Sequence, residues 1–144
     1  MILKTVIVTI PLIIGSIIYI GWRPATTLMF SWFDRVGFLE LIMELRALLS
    51  DYTIPDWLLY WGPNGTWTFS FTAALGFIWF TGESEHGKLW LLVPLIFGIT
   101  IEFGQLLNYL PGTFCYGDII AHGIGAFTAF IIVKISYVRG RSIC

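Results

Sequence analysis

Long apolar runs alternate with short polar breaks along this chain, and their spacing predicts four helices long enough to cross a bilayer. The first covers 5–21, behind Lys4 and ahead of Trp22, Arg23 and Pro24. It outlasts the roughly 7–15 apolar residues of a secretory leader and lacks a small-x-small cleavage site, so an uncleaved helix is expected. Pro11 inside it predicts a kink or one loosened turn, which neighbouring helices tolerate in lipid. The other spans are expected over 66–81, 88–108 and 118–138.

Between the first two spans, 26–61 has a different character. Asp34, Arg35, Glu40, Glu44, Arg46 and Asp51 interleave with dense Leu, Ile, Phe and Trp. Over 34–49 the positions Phe38, Leu41, Ile42, Leu45, Leu48 and Leu49 form one broad apolar face, which predicts an amphipathic helix lying in the headgroup plane. An ordinary helix covering the bundle mouth would show the same pattern. Pro55 closes this helix, 56–61 reads as a short interfacial segment, and Gly62-Pro63-Asn64-Gly65 reads as a turn. Polar 82–87 separates the second and third spans and leaves His86 solvated, while 111–117 links the third and fourth.

Composition agrees with the pattern. Of 144 residues 57% are hydrophobic and 12% charged, with a mean hydropathy of +0.82, against about 25% charged residues in a soluble domain. The expected fold class is therefore all-α: one integral membrane domain over 1–144, with four transmembrane helices and one interfacial amphipathic helix between the first and second. A net charge of −1 without a basic run argues against nucleic acid as a partner. Lys4, Lys88, Lys134, Arg139 and Arg141 collect on one side of such a bundle, and Arg23, Arg35 and Arg46 on the other. The positive-inside bias then sets both termini in the cytoplasm of a multi-pass plasma membrane protein. Cys115 and Cys144 fall on opposite sides in this topology and cannot form a disulfide.

Chemistry concentrates in the last two spans. Glu102 and Gln105 lie one turn apart on the third, and Asp118 and His122 one turn apart on the fourth. At 1.5 Å per residue, Glu102 lies about 9 Å and His122 about 6 Å below the outer helix ends, so the two are expected to meet. Ionisable groups at such depth are costly and mark function by default. Two readings stand side by side: a hydrogen-bonded clasp in which Gln105 and His122 satisfy Glu102, and an outward-facing site that holds a polar headgroup or moves a proton. Ala121, Gly125 and Ala129 offer the small surface that lets helices approach closely. Ser70, Ala73, Ala74 and Gly76 do the same on the second span. Glu102, Asp118 and His122 are chemically suited to a divalent ion, yet without a HExxH or a Cys cluster no metal or other cofactor is expected.

The string Glu102-x-x-Gln105, Pro111-Gly112-Thr113-Phe114, Asp118-x-x-x-His122-x-x-Gly125 resembles the VanZ-like family of small bacterial membrane proteins, named after a teicoplanin-resistance factor. Glu102, Gln105, Gly112, Asp118 and Gly125 stand where that pattern expects them. Thr113 replaces its arginine and His122 its asparagine. The resemblance covers about the C-terminal third and implies a multi-span helical fold, a bacterial plasma membrane and a cell-envelope role. The expected function is binding of a membrane lipid or envelope amphiphile at Glu102, Gln105, Asp118 and His122, with catalysis left open. The alternative is a non-catalytic accessory subunit that docks a larger membrane protein, and a weaker third reading is a metal-assisted hydrolase.

Overall fold

The computed structural model describes residues 2–80 and 85–141, apart from the side chains at 85, 86, 140 and 141. Among the described residues there are seven helices and no strand. They are α1 (Ile2–Trp22), α2 (Leu28–Arg35), α3 (Leu39–Leu49), α4 (Asp56–Trp79), α5 (Glu85–Trp90), α6 (Val93–Leu106) and α7 (Tyr116–Arg141). Residues 82–84 of the polar loop 82–87, the His86 side chain and Cys144 lie outside the described residues.

α4 is the central rod, packed most extensively against α7 and next against α1. The Tyr19 ring lies tilted beside Trp67, and Lys4 sits over Phe77 at the far end, so α1 and α4 are antiparallel. Contacts of Gly117 with Trp61, Gly65 with Ala121 and Gly76 with Val133 advance together, so α4 and α7 run parallel. α6 returns antiparallel beside α7, with Gly98 against His122. α1, α4, α5–α6 and α7 thus alternate in direction.

Close approach explains why α4 is central although, unlike α1 and α7, it is not among the helices long and apolar enough to cross a membrane. Its buried residues are Pro63, Thr68, Ser70, Thr72, Ala73 and Gly76, small or compact side chains that let two neighbours come near. Gly125 of α7 lies directly over the Gly65 carbonyl, and Ala129 is fully buried one turn further on. Large apolar groups point outward instead: Ile10, Ile13, Ile14 and Ile17 of α1 and Ile120, Ile124, Phe127 and Ile131 of α7 are exposed.

The structure corrects three sequence expectations. Residues 62–65 form no turn; α4 runs straight through Gly62-Pro63-Asn64-Gly65. Pro63 is fully buried, and the Thr66 hydroxyl donates to the Gly62 and Pro63 carbonyls at 2.9 and 3.1 Å, supporting the backbone around the proline. The glycines there serve helix contact. The single helix expected over 34–49 is two, α2 and α3. Gly37, at φ +76°, ends α2 in a Schellman motif, with Phe38 N–H donating to the Phe33 carbonyl at 2.8 Å and Gly37 N–H to Asp34 at 3.1 Å. On α3, Ile42 is buried and Leu49 packs toward Gly21, while Leu41, Leu45 and Leu48 stay exposed. The third rod, expected over 88–108, is broken into α5 and α6 at Leu91 and Leu92, because Pro94 has no N–H for the Trp90 carbonyl.

α3 is tied to the end of α1. Arg46 donates to the Ile20 carbonyl at 3.1 Å and to the Arg23 carbonyl, and its guanidinium lies over the Phe30 ring. A cation on the last carbonyls of a helix satisfies orphan acceptors and opposes the helix dipole. Trp22 adds a 2.7 Å bond to the Tyr52 carbonyl.

Candidate functional site

One end of the bundle gathers the C-terminus of α1, the start of α4, the end of α6 and the start of α7, and polar groups from all four meet there. Glu102, 3% exposed, projects from α6 beneath the 107–115 connection. Its Oε2 accepts a 3.1 Å hydrogen bond from Cys115 N–H, which ties that connection down onto α6. α6 ends in a second Schellman motif. Asn108, at φ +57°, donates to the Gln105 carbonyl, and Tyr109 N–H donates to Gly104 at 2.8 Å. Gly112, at φ +129°, lies against the Gln105 amide, a place where any side chain would collide.

Asp118 sits in the first turn of α7, where the helix dipole favours a carboxylate. It is 8% exposed. The Asn64 side chain of α4 hydrogen-bonds to its carboxyl group, yet Oδ1 is buried without a partner. Arg23, at the end of α1, acts electrostatically on both Asp118 and Glu102. Its guanidinium is held by a 2.8 Å bond to the Tyr60 carbonyl and lies 4.9 Å from the centre of the Tyr60 ring and 5.8 Å from that of Tyr19. Its Nε is also buried and unpartnered.

His122, one turn deeper on α7, hydrogen-bonds through Nδ1 to the Thr68 hydroxyl of α4. A Cβ at Gly98 would lie 2.6 Å from the ring, so glycine makes the space the imidazole occupies.

Glu102, Asp118 and His122 therefore share one end of the bundle, as expected, and interact electrostatically in sequence through Asp118. Their pairing is not the expected one. His122 faces Gly98 rather than Glu102, and its partner is Thr68; Glu102 takes its hydrogen bond from Cys115, while Gln105 packs on Gly112. The register of α6 against α7 is offset by one turn, because the close crossing at Gly98 sets the depth. Among the described residues no group of three His, Cys, Asp or Glu is arranged to hold a metal ion. Cys115 is a free thiol.

Sequence reasoning missed Arg23, Asn64 and Thr68. Arg23 reads only as a basic residue flanking the first span and Asn64 as part of a turn; Thr68, four residues from Asn64 on a helical face, becomes legible once 62–65 is read as helix. Comparison with family models, curated proteins and solved structures gives no match to this chain.

Proposed function

We propose that this chain is a four-span, VanZ-like protein of the bacterial plasma membrane that binds the polar head of a lipid or envelope amphiphile at the Arg23, Asn64, Glu102, Asp118 and His122 cluster. Two helices, Ile2–Trp22 and Tyr116–Arg139, are long and apolar enough to cross a membrane. The core helix of a soluble protein would be mostly buried, whereas these are only 11% and 22% buried. Large hydrocarbon side chains outside and Ser, Thr, Glu and Asp inside suit a lipid solvent. The remaining two crossings are assigned to α4 and to α5 with α6, which alternate in direction with α1 and α7.

Lys4, Lys88, Lys134 and Arg139 gather at the end opposite the cluster, which favours a cytoplasmic location for that end and both termini, and an outward-facing cluster. The motif residues behind the VanZ-like resemblance have physical work in this arrangement: Glu102 and Asp118 are the buried acids, Gly112 makes the tight turn and Gly125 the helix crossing.

One observation carries the binding reading: Asp118 Oδ1 is buried in a charged cluster without a hydrogen-bond donor. Native proteins leave few such atoms unsatisfied, and a donor brought by a ligand completes it. The test compares rescue of a deletion strain under envelope-directed antibiotics by the wild type, Glu102→Gln and His122→Ala. Both variants are expected to accumulate in the membrane and fail to rescue; normal rescue by both removes the proposal. The accessory-subunit reading rests on the exposed Leu41, Leu45 and Leu48 face of α3. A stoichiometric partner that survives mild-detergent purification, and is lost when Leu41 and Leu45 are made polar, would favour it.

A further inference from the structure

At the end of the bundle away from the polar cluster, α1 and α4 part to leave an open groove of about 270 Å³. Thr5 and Val8 line it from α1, and Ala74, Phe77 and Ile78 from α4. Ala74 makes the hollow, a methyl group between neighbours with much larger side chains. Thr9 also faces the groove, but its hydroxyl is turned back onto the Thr5 carbonyl at 2.6 Å, so the wall it presents is hydrocarbon.

Lys4 stands at the mouth, its ammonium 5.3 Å from the centre of the Phe77 ring. A smaller hollow of about 40 Å³ leads from Lys4 toward Ser136 and Tyr137 of α7. Lys134 and Arg139 are exposed on the same stretch of α7.

We propose that this groove seats an acyl chain of an anionic phospholipid, with the lipid phosphate against Lys4. The inference rests on the membrane-spanning reading but not on the polar cluster. A mainly apolar slot ending in a cation matches the two halves of such a lipid, and basic pockets between spans on the cytoplasmic side are suited to acidic headgroups. Lys4 lies near the start of α1, where a long side chain reaches the headgroup level while its stem stays on apolar surface. A second copy in the same orientation is disfavoured as occupant, because it would bring its own Lys88, Lys134 and Arg139 to the same depth.

The test is native mass spectrometry of the full chain released from mild detergent after incubation with phosphatidylglycerol and phosphatidylcholine of identical chains. The wild type is expected to retain phosphatidylglycerol in preference. Lys4→Gln lowers that retention about fivefold, the effect of one basic residue at a headgroup surface. Ala74→Phe fills the slot and lowers retention of both lipids, with helicity by circular dichroism unchanged. Equal retention of the two lipids by the wild type overturns the inference without any variant. So does unchanged retention by Lys4→Gln, or a lipid-free dimer. A protein that inserts into membranes yet shows no preference sinks this inference alone, whereas failure to fractionate with membranes sinks the membrane reading with it.

Discussion

Gly123 and Gly125 stand two residues apart on α7, and the packing of the bundle predicts opposite consequences for the same substitution. A Cβ at Gly125 would strike the Gly65 carbonyl oxygen and lie 3.1 Å from the Phe69 nitrogen, both backbone atoms of α4. A side chain in that position would rotate away; a helix backbone cannot. Gly125→Ala therefore forces α4 and α7 apart at their closest crossing, loosening the contacts of Ala73, Ala129 and Val133 beyond it. Overpacking of a tight core costs about 1–3 kcal/mol, a roughly 5- to 150-fold shift in the unfolding equilibrium. At Gly123 a Cβ meets nothing within 4 Å, so alanine removes only the conformational cost of glycine and is expected to be neutral or to stabilise by up to about 1 kcal/mol. Thermal unfolding of both variants in the same detergent, followed by far-ultraviolet circular dichroism, measures the difference. Equal midpoints for Gly125→Ala and the wild type would refute the crossing geometry, as would an equal loss in both variants.

Other expectations concern the ties at the polar end and the direction of the chain. Glu102→Ala removes the acceptor for Cys115 N–H and should cost about 1–3 kcal/mol. Hydrogen exchange at Cys115 should accelerate, whereas Glu102→Gln, which keeps an oxygen, should preserve most of the protection. Arg46→Ala exposes the Ile20 and Arg23 carbonyls and should destabilise by a similar about 1–3 kcal/mol. Proteolysis should then speed up between α1 and α3, and Arg46→Lys should restore only part of the stability, because an ammonium lacks the guanidinium fork. For topology, a fluorescent protein fused after residue 141 should fold in the cytoplasm, and a periplasmic phosphatase inserted at residue 112 should be active. Activity in the opposite pair would reverse the orientation.

Much of the helical architecture was legible because long apolar runs impose a strong local rule. The run 5–21 is apolar on nearly every face and 118–138 over most of its surface, and a chain can bury so much hydrocarbon only as a spanning helix or a core element. The errors came where local residues admit two readings. Gly-Pro-Asn-Gly is a strong local turn signal; in α4 the same residues are helical because Thr66 supports the carbonyls and Ala121 packs on Gly65. Gly37, by contrast, was a signal in plain sight: a glycine between two helical patterns stops the first.

By itself the sequence determined the helical class, the apolar exterior and the short list of acids and the imidazole that would lie deep, since hydropathy and residue identity are properties of each position. Only the tertiary structure decided which of those groups meet. Glu102 reaches a backbone amide thirteen residues on, His122 a threonine of α4, and Asp118 an asparagine of α4 within the field of Arg23 from α1. Those pairings depend on the offset between helices, which is set by where small residues let backbones touch. That is a relation between distant segments, which no local pattern contains.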